Sequence, residues 1–180
     1  MDQRLAALRR WLAGPLGGPG FSIAAASADA SFRRYFRVTL ADGRSFIAMD
    51  APPGHEDGAA FVHVAQLLRA AGVNAPAVHA QDLDQGFLLL TDLGTVTYLD
   101  ALNDKNADLL MRDAIAALIK WQLATRAGML PPYDEALLRR ELALFPEWYV
   151  GRHLGRAFSA AQRASWDGLC AALVASALAQ

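Results

Sequence analysis

Cysteine, lysine and net charge are all scarce in this chain, and each scarcity removes a class of explanation. The single cysteine, Cys170, excludes an internal disulfide and fits a reducing compartment. Its apolar helical surroundings suit a small buried hydrophobe. Only two of the 17 basic residues are lysines, Lys105 and Lys120, so the arginine abundance reads as compositional bias. A formal net charge of −1 supplies no global field to recruit nucleic acid or an anionic membrane. There is no run of about 18 apolar residues to span a bilayer, and residues 1–16 lack the apolar core of a signal peptide. His63 and His79 have no partners at metal-ligand spacing. The expected location is therefore cytoplasmic, with no nucleic-acid and no membrane partner.

What is present is a globular pattern: 54% apolar and 19% charged residues over a length that makes one large domain or two small lobes. The organising stretch is Gly86-Phe87-Leu88-Leu89-Leu90-Thr91-Asp92-Leu93-Gly94. Its four consecutive large apolar residues read as a short strand buried on both faces, stopped by a turn at Asp92 and Gly94. Upstream, the spacing predicts a helix over 2–13, then strands over 21–27, 33–40 and 45–49. Asp42-Gly43 marks the hairpin between the last two. A helix is expected over 56–71, with Glu56 and Asp57 in its first turn and Phe61, Val64 and Leu68 as its apolar stripe, then a short strand over 77–80. Downstream of Gly94 the periodicity is helical. A turn is expected over 97–102, a wide-arced and hence buried helix over 108–127, and another over 133–145 that Pro146 ends or kinks. Ser159 and Gln162 form a capping-box signature for a last helix. The fold class is α+β, with a sheet half over 1–94 and a helical half over 95–180.

This element order is that of the small lobe of kinase-like folds followed by the start of the large lobe. Four ordered segments carry a more specific likeness: residues 29–37 (DASFRRYFR), 46–53 (FIAMDAPP), 86–94 (GFLLLTDLG) and 97–99 (TYL). On these the chain resembles the aminoglycoside phosphotransferase family, and within it the bacterial cell-wall sugar kinases that act on the anomeric position of N-acetylmuramate and N-acetylglucosamine. The resemblance implies ATP and Mg²⁺ as cofactors and a sugar or amino-sugar acceptor. A non-catalytic kinase-like module that binds a nucleotide or a protein is the alternative.

The resemblance also implies site positions. Residues 28–32 would form the loop over the nucleotide phosphates, with Ser31 and Phe32 in it and Arg33 or Arg34 supplying charge. A solvated hairpin with arginines outward is the other reading of that loop. Residues 90–93 (Leu90, Thr91, Asp92, Leu93) would form the hinge that meets the adenine edge, and Ile47 would pack on the ring. The third strand of such folds carries a lysine paired with a glutamate on the next helix. Here Met49 and Phe61 occupy those places, an apolar pair that leaves no lone buried charge and no phosphate clamp; Arg34 or Arg37 is the substitute cation. The His-x-Asp and Asn of a catalytic loop are missing. His55-Glu56-Asp57 matches formally, but it opens the small-lobe helix and Val62 stands where Asn is required. The catalytic loop and the magnesium ligands are expected beyond residue 180, and the uncovered helical part then invites self-association.

Overall fold

The computed structural model describes residues 2–28 and 31–179. Two compact units divide it, Met1–Thr125 and Arg126–Gln180. The 94/95 division expected from sequence falls inside the first unit, where strands give way to helices.

The first unit is built on a five-stranded antiparallel sheet, β1 (Phe21–Ala28), β2 (Arg34–Leu40), β3 (Ser45–Asp50), β4 (Val78–Asp82) and β5 (Phe87–Thr91), in the order β1-β2-β3-β5-β4. Strand alternation gives this sheet two differently covered faces. On one lies α1 (Gln3–Leu12), whose Leu8 and Leu12 pack on Val38, Ala48, Phe87 and Leu89. On the other lies α2 (Gly58–Ala70), whose Val62 packs on Met49, Ala51, Leu88 and Leu90. The unbroken apolar run of β5 is thereby explained: Phe87 and Leu89 serve one core, Leu88 and Leu90 the other. All four are essentially inaccessible to water, and burial of side chains of this size contributes about 1.5–3 kcal/mol each.

α1 is fixed by charge as well as by packing. Asp50 is fully buried at the end of β3 and faces α1. Its two oxygens accept from Arg4 Nε at 2.9 Å and Arg34 Nε at 3.0 Å, and Arg34 also pairs with Asp2, the N-cap of α1. Gly86 closes the same end of the β3–β5 pair, one residue beyond the Asp50–Phe87 partners. Its φ is +75°, its carbonyl accepts the Ala51 N–H at 2.8 Å, and a Cβ there would lie 1.9 Å from the Ala51 carbonyl oxygen.

Several expected details shift. Asp57 is the N-cap of α2 and Glu56 lies before it, so no acidic residue sits in the first helical turn. The fully buried positions of α2 are Val62 and Ala65, and the expected stripe of Phe61, Val64 and Leu68 lies half-buried beside them. α3 (Tyr98–Ala101) carries a capping box between Thr97 and Asp100. α4 (Ala107–Ala124) has the expected length, yet the expectation of a buried helix does not hold: none of its residues is buried, and Met111, Ile115, Leu118 and Trp121 are all exposed. Apolar periodicity reports what a face can bury, not whether a neighbour covers it.

In the second unit, α5 (Glu135–Leu144) runs into a π-helical stretch, Phe145–His153, and α6 (Ala160–Leu178) follows and packs on α5. Pro146 has no N–H to continue the α-helical ladder, which accounts for the change of helix type at that point. The Ser159–Gln162 capping box is formed, and Cys170 is a buried thiol in α6.

Candidate nucleotide site on the first unit

The α2 face of the sheet carries two cross-strand rows. Arg37, Ile47, Leu90 and Val78 are register partners in one, and Tyr35, Met49 and Leu88 in the next. Where β5 ends, the chain turns away from the sheet over 92–97 and leaves a cleft of about 460 Å³. Ile47 and Leu90 line it from the sheet, Phe61 from α2, and Thr91, Asp92, Leu93 and Gly94 along its rim. A bulge between Ala25 and Ser27 brings Ala26 to the same cleft from β1. An apolar floor beside a rim of backbone polar groups suits a flat heteroaromatic ring with hydrogen-bonding edges.

The rim is held by one arginine. Arg37 Nε donates to Asp92 Oδ2 at 2.7 Å, and Arg37 Nη2 donates to Asp92 Oδ1 at 3.1 Å and to the Gly94 carbonyl at 2.9 Å. Asp92 Oδ1 also accepts the Gly94 N–H at 2.9 Å, the turn-capping bond expected of an aspartate in this position. The Arg37 hydrogen bond, reinforced by the Gly94 N–H and the Ser45 hydroxyl, holds the Asp92 carboxyl below the usual carboxylate range despite its burial. The same bond to Asp92 raises Arg37.

A second ion pair stands at the start of α2. Arg33 Nε donates to Glu56 Oε2 at 2.8 Å, its guanidinium lies over the Phe61 ring at 5.9 Å, and Glu56 Oε1 accepts the Phe32 N–H at 3.2 Å. The Phe32 ring stacks against His55 at 4.5 Å. Among the described residues no three His, Cys, Asp or Glu side chains are grouped to hold a metal ion. Among the described residues no helix is long and apolar enough to cross a membrane.

The model of the phosphotransferase enzyme family matches residues 22–180, which includes every residue of the cleft and its rim. The chain belongs to this family. Proteins named N-acetylmuramate/N-acetylglucosamine kinase are similar to it. That of Pseudomonas putida is 57% identical over 162 residues, covering 90% of this chain and 48% of that protein. The Pseudomonas aeruginosa protein is 55% identical over the same extent, and that of Neisseria meningitidis serogroup B is 40% identical over 182 residues, 54% of its length. The chain spans about half the length of the curated relatives it matches.

Within the family frame, the site residues expected from sequence fall into three groups. Ile47, Leu90, Thr91, Asp92 and Leu93 come together around the cleft. Met49 is fully buried in the core under α2, and Phe61 packs, half-buried, against the same apolar cluster. Phe32 and Arg33 stand at the Phe61 end, and Ser31 accepts the Arg33 N–H at 3.2 Å. Of the loop expected over 28–32, Asp29 and Ala30 lie outside the described residues.

Arg34 is not brought to this site. It alternates to the α1 face and is committed to Asp50 and Asp2. Arg37 does face the cleft, but its guanidinium is engaged by the rim. The Arg33–Glu56 pair was not foreseen, because Glu56 was placed inside a helix. Its position directly before the Asp57 N-cap was the available signal, since a cap starts the helix after itself.

Proposed function

We propose that the first unit binds ATP as the nucleotide-side half of a phosphotransferase whose acceptor is an amino-sugar hydroxyl. The observation that carries the reading is the cleft itself, where the apolar floor of Ile47 and Leu90 meets a polar backbone rim at 91–94. The residues present fit an adenine nucleotide: Ile47 packs on the ring and the backbone of 91–93 meets its edge. Arg33, whose guanidinium lies over the Phe61 ring and pairs with Glu56, would supply the charge for the phosphates. Bound ATP supplies the transferable phosphoryl group. The amino-sugar acceptor rests on the names of the relatives, and a cytoplasmic location on the reaction they are named for.

No step of the transfer is assigned to a residue of this chain. The His-x-Asp and Asn pattern does not occur in a suitable place, and Mg²⁺ finds no ligand cluster among the described residues. What this chain contributes is binding and orientation. The apolar Met49–Phe61 pair, standing where related folds hold a charged one, favours the second reading, a non-catalytic nucleotide- or protein-binding module.

Calorimetric titration of the chain with ATP and Mg²⁺, paired with thermal denaturation, tests the proposal. Saturable binding and a raised melting temperature support it. A cooperatively folded protein that binds no nucleotide overturns it in favour of the module.

A further inference from the structure

We propose that Arg37 is a positioning residue that preorganises the 92–94 rim for the nucleobase. The inference rests on the nucleotide reading above and extends it to a residue that reading does not use. Arg37 lies on β2 and faces the cleft, and it would be the natural cation for a phosphate there. The geometry assigns it otherwise. Its Nε and Nη2 take both oxygens of Asp92 at 2.7 and 3.1 Å, and Nη2 also takes the Gly94 carbonyl at 2.9 Å. The Asp92 side chain is only 6% exposed, and it returns a bond to the Gly94 N–H at 2.9 Å.

One guanidinium and one carboxylate thus close a clasp around the segment that leaves the sheet. Leu93, at its centre, makes no hydrogen bond of its own among the described residues, so the backbone that would read a base edge is held only by its neighbours. A segment between a strand and a helix is otherwise free to sample several turns, and a ligand that needs one of them binds more weakly by the fraction of time that turn is populated. The clasp removes this cost before the ligand arrives. Ligand specificity follows as well. Adenine and guanine differ in donor and acceptor order along the edge, and only a rim of defined geometry tells them apart.

The test uses the whole chain and four proteins: the parent, Arg37→Ala, Arg37→Lys and Asp92→Asn. Amide hydrogen exchange is read at 92–95 without ligand, and dissociation constants are read for ATP and for GTP. Arg37→Ala is expected to speed exchange at 92–95 tenfold or more while leaving β3 and β5 unchanged. It should also weaken ATP binding about tenfold, the cost if the competent turn falls to about a tenth of the population, and bring the ATP-to-GTP ratio toward one. Arg37→Lys should lie between parent and Arg37→Ala, because a point charge cannot bridge Asp92 and the Gly94 carbonyl together. Asp92→Asn should resemble Arg37→Ala and keeps the residue volume should Arg37→Ala fail to fold. Faster exchange at the rim with unchanged affinity and unchanged ATP-to-GTP ratio overturns the inference while leaving the nucleotide reading intact. A folded parent that binds neither nucleotide overturns the nucleotide reading itself, and the assigned role of Arg37 with it.

Discussion

Replacing Asp50 by Asn should destabilise the first unit more than a typical single substitution, and the structure sets the scale. The carboxylate is inaccessible, while the Arg4 and Arg34 side chains that contact it are 36% and 38% exposed. Both of its oxygens accept charge-assisted bonds, from Arg4 Nε at 2.9 Å and Arg34 Nε at 3.0 Å, with a second bond from the Nη2 of each arginine. The amide has similar volume but no charge, and it offers one acceptor where two are used. Its NH₂ would point at a guanidinium. Breaking a buried charge cluster from one side costs about 3–5 kcal/mol. Because both arginine heads can turn back to water, the low end applies, about 3 kcal/mol. At about 2–4 °C per kcal/mol for a chain of this size, the transition of the first unit should fall by roughly 6–12 °C.

Amide exchange of β2, β3 and β5 follows that unit apart from the helices of the second and reads the loss directly. A companion variant separates pairing from desolvation: Arg4→Met, Asp50→Leu and Arg34→Met together remove the three charges that meet at position 50 and leave only the exposed Asp2. Apolar replacement of a whole buried cluster is often neutral, so the triple variant should be more stable than Asp50→Asn. A single Asp50→Asn loss below about 1 kcal/mol, no more than a typical single substitution, would refute the claim that this cluster fastens α1 to the sheet.

Two further outcomes follow from the same geometry. Gly86→Ala should cost about 3 kcal/mol or more, since it combines a positive φ with a Cβ only 1.9 Å from the Ala51 carbonyl oxygen; urea denaturation reads it, and a loss under about 1 kcal/mol contradicts the close approach. The depressed Asp92 carboxyl contributes stability that is complete above the ordinary carboxylate pKa of about 4 and is lost as pH falls below it, because the unfolded chain then binds the proton first. The urea midpoint of the parent should therefore be level from pH 7 to about pH 5 and drop toward pH 2. Asp92→Asn should flatten part of that drop, and identical slopes for the two proteins would contradict the assignment.

The strands and their order along the chain were legible in local patterns, because alternation, paired turn residues and an unbroken apolar run are properties of neighbouring residues. The run at 87–90 reads as a strand covered on both faces, and α1 and α2 cover it. The capping box at Ser159 was equally readable, since its partner Gln162 lies three residues on, whereas the one at Thr97 appears only in the structure. The resemblance of four ordered segments implied a common site for Ile47, Leu90 and 91–93, and these residues line one cleft.

Tertiary structure decided which way each arginine points and what it meets. Arg33, Arg34 and Arg37 are near-equivalent letters in one short stretch, yet they reach Glu56, Asp50 and Asp92, residues 23, 16 and 55 positions away. Adjacent Arg33 and Arg34 part to opposite sides at the start of β2, and a partner so distant along the chain is chosen by strand register, which no local pattern encodes. The same limit applies to α4. Its apolar arc was readable from its own residues, but its exposure depends on what packs against it, and that is a property of the fold as a whole.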